Sequence, residues 1–271
     1  MENDKLKSKV RDFWDAASCG EVYGDETSEE AFYRSNAETR YVLEPYILDF
    51  ARFHEGKDRD ILEVGVGMGS DHLLWAKSMP RVLKGVDLTA RAIEHTKKRL
   101  SIDGFLPDVT EADAEDLPFE NDSFDIVYSW GVLHHSPNTS KAIEEVYRVL
   151  RPDGIARIMI YHKYSLTGYM LWLRYGLLRG RLFSSLDQIY HNYLESPGTK
   201  AYTIKEAEAM LHQFSNCKID IQLGFADLLE GAVGQRHSGV LLSIAKKLWP
   251  RRLLRLLFSN HGLGLLIEAR K

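Results

Sequence analysis

Between residues 60 and 160 short apolar runs alternate with amphipathic stretches, and the alternation predicts strands separated by helices. Asp60-Ile-Leu-Glu-Val64 reads as a buried strand, followed by a glycine turn at 65–69 and a helix through Leu73, Leu74 and Ala76. Arg81 to Val86 is a second strand. Thr89 then caps a helix carrying Ala92, Ile93 and Leu100 on one face. Phe124 to Tyr128 is a further strand, and Lys141 to Leu150 a helix with Ile143, Val146, Val149 and Leu150 together. Pro152-Asp-Gly154 is a turn ahead of another strand, Ile155 to Tyr161. Strands joined by helices of about ten residues imply right-handed βαβ units. The expected fold is α/β, a doubly wound, mostly parallel seven-stranded sheet with helical additions.

The flanks are patterned differently. Residues 1–50 look helical and are expected to form a lid, while 58–160 form the core. Residues 164–200, rich in Tyr, Leu and Arg, and 225–261 read as insertions on the substrate side. Thr203-Ile-Lys-Glu206 is a capping box opening a helix through Ala207, Met210 and Leu211. Cys217 to Leu223 and Leu263 to Glu268 read as closing strands, with Cys217 in the strand core. No linker divides the 271 residues, so one domain is expected.

Composition narrows the class. Hydrophobic residues make up 44% of the chain and charged residues 27%, which excludes intrinsic disorder. Two cysteines cannot make a disulfide framework, and Cys19 reads as an inert packed thiol. The polar start lacks the apolar core of a signal peptide, and no stretch approaches 18 uncharged apolar residues. A cytoplasmic protein is the expectation. The formal charge of −4 makes nucleic acid an improbable partner. That figure hides an asymmetry: residues 241–271 sum to +6 and the other 240 to −10. The basic apolar stretch 240–258 reads as a helix pair broken at Pro250, with peripheral contact to an anionic membrane as its alternative.

The densest chemical signal is Glu63-Val-Gly65-Val-Gly67-Met-Gly69-Ser, placed between a strand and a helix. Such glycines let backbone approach a ligand closely, and the helix amino end offers free N–H groups. Position 70 is Ser70 where a dinucleotide turn has glycine, and no Gly-Lys-Ser/Thr P-loop is present. Asp87 ends the second strand, where a carboxylate can accept both hydroxyls of a ribose. Asp113, in Glu111-Ala-Asp113-Ala-Glu-Asp-Leu-Pro118-Phe119, can accept from an adenine amino group. Ser129-Trp130-Gly131-Val-Leu-His134-His135 follows the fourth strand.

Taken together, these segments resemble the class I S-adenosylmethionine-dependent methyltransferases, in the branch that includes ubiquinone and menaquinone C-methyltransferases. The resemblance covers residues 58–160 and implies S-adenosylmethionine as cofactor, with S-adenosylhomocysteine as product. It also implies roles. Gly65, Gly67 and Gly69 shape the loop under the methionine part, and Glu63 holds that loop or reaches the amine through water. Asp87 takes the ribose diol, and Leu88 covers an adenine face. Asp113, helped by the Ala114 backbone, bonds the adenine amino group. Ser129, Trp130 and Gly131 line the sulfonium side. Tyr23 and Arg40 sit in helices that fold over the cofactor in similar proteins, where Arg34 or Arg40 could pair with the methionine carboxylate.

The pair His134-His135 has no Cys, Asp or Glu at ligand spacing, so no metal is expected. In relatives such a pair orders the loop after the fourth strand. His134 is expected against cofactor or pocket, and His135 and His162 are the candidates for proton transfer. The acceptor is expected to be a small molecule, apolar or aromatic, held by residues 1–50 and 164–200. A lipid or quinone at a membrane, RNA or protein, and a non-catalytic binding module are the competing readings.

Overall fold

The computed structural model describes residues 2–24, 28–230 and 246–271. Three helices come first: α1 (Glu2–Ala16), α2 (Glu29–Leu43) and α3 (Tyr46–Ala51). The alternating region follows as β1 (Asp60–Val64), α4 (Ser70–Lys77), β2 (Val82–Asp87), α5 (Ala90–Ile102) and β3 (Val109–Glu111). It continues as β4 (Phe124–Trp130), α6 (Thr139–Val149) and β5 (Leu150–Tyr161). Then come α7 (Leu166–Tyr175), α8 (Leu186–Tyr193), α9 (Ile204–Met210), β6 (Ser215–Gln222), α10 (Arg251–Leu257) and β7 (Gly264–Arg270). Of the expected 240–258 helix pair, residues 240–245 lie outside the described residues.

Among the described residues the strands form one sheet in the order β3-β2-β1-β4-β5-β7-β6. The first five run parallel. Strand β7 is antiparallel to both of its neighbours. The expected doubly wound, mostly parallel seven-stranded sheet is therefore what forms.

Strand periodicity splits each buried strand between two layers, because successive side chains point to opposite faces. Leu62 and Val64 of β1, Val127 of β4 and Ile158 of β5 pack with Ile143 and Val146 of α6. Ile61, Ile126, Tyr128 and Trp130 face the other way, onto Trp75 of α4 and Ile47 of α3. Helices are thus held on both sheet faces. The chain reverses direction across the sheet between β1 and β4, and open α/β sheets hold ligands at such a switch point, beyond the strands' carboxyl ends.

Two local expectations change. Leu150 already pairs with Phe124, and the register then jumps to Ile126 opposite Ile155. The Pro152-Asp-Gly154 turn is therefore a bulge inside β5, with Asp153 left-handed at φ 65°. Cys217 is exposed, so it is no core residue. The capping box at Thr203 is complete, with both the Thr203 and Glu206 side chains engaged.

Candidate active site

At the carboxyl ends of β1, β2 and β4 lies a cavity of about 320 Å³. The glycine turn forms its floor. Gly65, Gly67 and Gly69 all have positive φ, at 87°, 50° and 73°. Their surroundings differ. A Cβ on Gly65 would lie 2.1 Å from Val132 Cγ2, and one on Gly69 2.9 Å from Thr96 Cα. One on Gly67 would meet nothing within 4 Å, because Gly67 faces the open cavity.

Asp87 is fixed beneath that turn. Its Oδ2 accepts from the Gly67 N–H at 3.1 Å, and its Oδ1 from the N–H and hydroxyl of Thr89 at 3.0 and 2.9 Å. Burial pushes its carboxyl above the usual range against those donors. Glu63 is buried at the end of β1, with Oε2 2.9 Å from His72 Nδ1. Burial and then the charge of Asp71 drive Glu63 well up, while burial takes His72 down to about 4.

Arg40 lines the cavity from α2, but its Nε and Nη2 donate to the two Asp71 oxygens at 3.1 and 2.7 Å. Tyr41 and Tyr128 also donate to Asp71, at 2.9 and 2.8 Å. Asp113 lines the cavity with Ala114 and Leu88, and Lys7 of α1 forms an ion pair with it while reaching Glu115 at 3.3 Å. Burial works against the Lys7 charge, yet the two carboxylates outweigh it and raise its pKa.

A further stretch of the wall is aromatic and carries a relay. Trp130 lies with ring centroids 5.8 Å from both Tyr46 and Phe50. His135 lines the wall, its Nδ1 2.8 Å from Ser196 Oγ and 3.2 Å from Thr199 Oγ1, its Nε2 3.4 Å from Glu195. Tyr161 donates to Glu195 at 2.8 Å. Trp14 of α1 packs edge-on against His135. Cys19 is not the packed thiol expected: the residue is exposed on the cavity wall, where local desolvation and then the charge of Glu195 push its thiol up to about 12. That thiol stays protonated at neutral pH.

Of the residues singled out in the sequence, Glu63, Gly65, Gly67, Asp87, Leu88, Asp113, Ala114, Trp130, Gly131, His135, Tyr23 and Arg40 line this cavity. Five stand back from it. Arg34 is exposed on α2 and pairs with Glu30. Gly69 caps α4 in a left-handed conformation. Ser129 is buried and ties β4 to β1 by donating to the Val64 carbonyl at 2.9 Å. His134 is fully buried behind Tyr161, ring centroids 3.9 Å apart, with neither ring nitrogen hydrogen-bonded. His162 is buried with Nδ1 3.1 Å from the Gly262 carbonyl, off the cavity wall. Conversely, Lys7, Asp71, Glu195 and Ser196 were not singled out. Asp71 had a signal, an acid one residue into the helix after the glycine turn. Glu195 had none, since it meets His135 from 60 positions away. Ligand-capable atoms of His134, His135 and Glu195 all fall within 4.8 Å of one another, so the fold supplies the carboxylate that spacing did not.

Residues 62–158 match the family model described as "Methyltransferase domain". That match covers about a third of the chain. Over 122 residues it is 32% identical to sterol methyltransferase-like 1 of Botryococcus braunii, covering 44% of this chain and 30% of that one. Over 97 residues it is 36% identical to the phthiotriol/phenolphthiotriol dimycocerosates methyltransferase of Mycobacterium tuberculosis, covering 35% of each. The match thus spans about a third of the length of these curated relatives. Haemonchus contortus phosphoethanolamine N-methyltransferase 2, solved in complex with S-adenosyl-L-methionine, superposes with a TM-score of 0.62 at 15% identity. That superposition covers 97% of this chain and 60% of that one. The fold is that of the methyltransferases. The cavity also fits S-adenosylmethionine as cofactor: Gly67 leaves open space beside the turn, and the acceptor-bearing side chains of Asp87 and Asp113 both line the wall.

Proposed function

We propose that the chain is an S-adenosylmethionine-dependent methyltransferase that moves a methyl group to a small-molecule acceptor by in-line displacement. The observation that carries this reading is Gly67, open to the cavity and hydrogen-bonded to Asp87, at the switch point of the sheet. The bound cofactor supplies a methyl group on a positively charged sulfur, which is already activated towards displacement.

What remains for the protein is alignment and exclusion of water, an effect worth about 7–11 kcal/mol when the geometry is right. Trp130 and Gly131 at the end of β4 line the expected methyl path. His135, oriented by Ser196 and Thr199 and backed by Glu195, is positioned to take a proton from a hydroxyl or acidic carbon. His162 is hydrogen-bonded to the Gly262 carbonyl away from the wall, and we assign it no proton transfer. The apolar wall supports an apolar or ring-bearing acceptor. The names of the sterol and phthiotriol relatives point to the same class.

Isothermal titration with S-adenosylmethionine and its demethylated product tests the cofactor half; absence of binding rejects the reading. Release of S-adenosylhomocysteine over a panel of sterol, quinone, phenol and amine acceptors tests the acceptor half.

A further inference from the structure

The structure presents a second feature on the outer side of α7. That helix buries Leu166, Leu171 and Tyr175 but exposes Tyr169 and Leu173. The turn after it exposes Leu177, Leu178, Leu182 and Phe183, with Leu178 66% and Phe183 100% exposed. Helix α10 behaves alike: Leu254 packs inward, while Leu253, Leu256 and Leu257, at i, i+3 and i+4, face outward, Leu256 at 77%.

The two elements adjoin. Leu166 of α7 packs with Leu254 of α10, beside Trp249 and Phe258. Tyr169 Oη lies 3.2 Å from Nδ1 of His261, and His261 in turn packs on Phe258. Exposed leucines scattered singly would be ordinary, but exposed apolar side chains along two elements that meet at Tyr169 and His261 mark an interaction surface.

Charge says what kind. Residues 164–186 and 246–261 carry eight Lys and Arg and no Asp or Glu, in a chain of net charge −4. Part of this charge is used internally: Arg251 donates to the Leu228 and Leu229 carbonyls, and Arg255 pairs with Glu230. Arg179 lies over the Tyr175 ring, and Arg252 is exposed beside the α10 leucines. Apolar side chains amid basic ones, with the neighbouring acid Glu230 already paired to Arg255, complement an anionic lipid surface, where the leucines enter the headgroup boundary and the cations meet phosphate. Thr167, in the first turn of α7, lines the cavity, so this face and the acceptor end share one helix.

We propose that the face formed by α7, the turn at 177–183 and α10 seats the protein on an anionic lipid bilayer. This goes beyond the methyltransferase reading and is measured without turnover. The test is flotation of the full chain with phosphatidylcholine vesicles, with and without phosphatidylglycerol. Cofactor titration runs in parallel, so that failure of docking and failure of the activity reading remain distinct. Flotation is expected only with phosphatidylglycerol, weakening as salt is raised. Phe183→Asp combined with Leu256→Asp, both exposed and so tolerated by the fold, is expected to lower partition at least about tenfold. Arg252→Glu is expected to weaken it several-fold. The proposal is overturned if the protein does not float with anionic vesicles or if the double variant floats equally well. It is also overturned if sedimentation shows a dimer that Phe183→Asp dissolves, since a second copy would then cover the face.

Discussion

Arg40 of α2 grips Asp71 of α4 with two parallel hydrogen bonds, Nε to Oδ1 and Nη2 to Oδ2, at 3.1 and 2.7 Å. This pair joins the N-terminal helices to the helix that opens at the glycine turn. Burial acts to raise the Asp71 carboxyl, but Arg40 and the hydroxyls of Tyr128 and Tyr41 outweigh it and hold it below the usual range. Removing the cation leaves a buried charge unpaired. Arg40→Met, which keeps the apolar stem, is expected to lower unfolding free energy by about 3 kcal/mol at neutral pH. A carboxyl held low in the folded state adds stability above its unfolded pKa, and that stability is lost as pH falls. The difference between parent and variant should therefore shrink below about pH 4. Urea denaturation across pH measures it; a constant difference would mean that Asp71 does not carry the charge.

Gly67 and Gly69 separate binding from folding. Gly67→Ala places a methyl in open cavity at φ 50°, so its stability cost is the left-handed strain of about 1–2 kcal/mol. Its main effect should be on the cofactor, with affinity falling at least about tenfold as the methyl occupies ligand space. Gly69→Ala drives a methyl to 2.9 Å from Thr96 Cα, backbone that cannot step aside. It should add overpacking to strain, about 2–4 kcal/mol in total, read as a lowered melting temperature. If the two variants showed the same balance of affinity and stability, Gly67 would not face the ligand.

Much of the core and rather less of the wall was legible in the sequence. Strands β1 and β4 announce themselves because both faces are buried, giving near-continuous apolar runs. The α9 start was legible because Thr203 and Glu206 satisfy each other within four residues. The β5 bulge was not, because Pro152-Asp-Gly154 has turn chemistry whether or not Leu150 pairs with Phe124. The insertion at 164–200 was expected to be helical, but the bounds of α7 were not legible: apolar residues sit on its buried and exposed sides alike, which erases the 3.6-residue signal. Lys7 and Glu195 were invisible because their partners, Asp113 and His135, are 106 and 60 positions away.

The relay at the acceptor end makes a kinetic prediction. His135→Gln and Glu195→Gln should each lower kcat by about 10²–10⁴ when the acceptor loses a proton during transfer. Cofactor affinity should stay within about twofold, since Asp87 and Asp113 are held by Gly67, Thr89, Lys7 and the Glu115 N–H and not by His135. Ser196→Ala acts only through the orientation of His135, so its loss should be smaller and should shift the pH profile. Single-turnover rates with a productive acceptor decide this. Unchanged turnover in both Gln variants would leave His135 a packing residue.

Glu63 and His72 make the last prediction, and its sign comes from counting protons. At 2.9 Å in a buried site, Glu63 is driven up by burial and His72 down to about 4 by burial. Between their ordinary values of 4.5 and 6.5, the unfolded chain holds one proton on His72 and none on Glu63. The folded chain holds one on Glu63 and none beyond neutral on His72. The counts match, so this pair leaves stability flat across that window. Glu63→Gln removes the match. His72 must then lose its proton on folding, and stability should fall by about 1.4 kcal/mol for each pH unit below 6.5. Above pH 6.5 the order reverses: the parent alone must bind a proton to fold and loses stability as pH rises towards the raised pKa of Glu63. The parent's advantage over the Gln variant should therefore decline steadily with pH from 4.5 upward. Unfolding free energies of both proteins in urea at half-unit pH steps would reveal it. Parallel curves would instead place an ionised Glu63 in the folded site, already charged to meet a cationic amine.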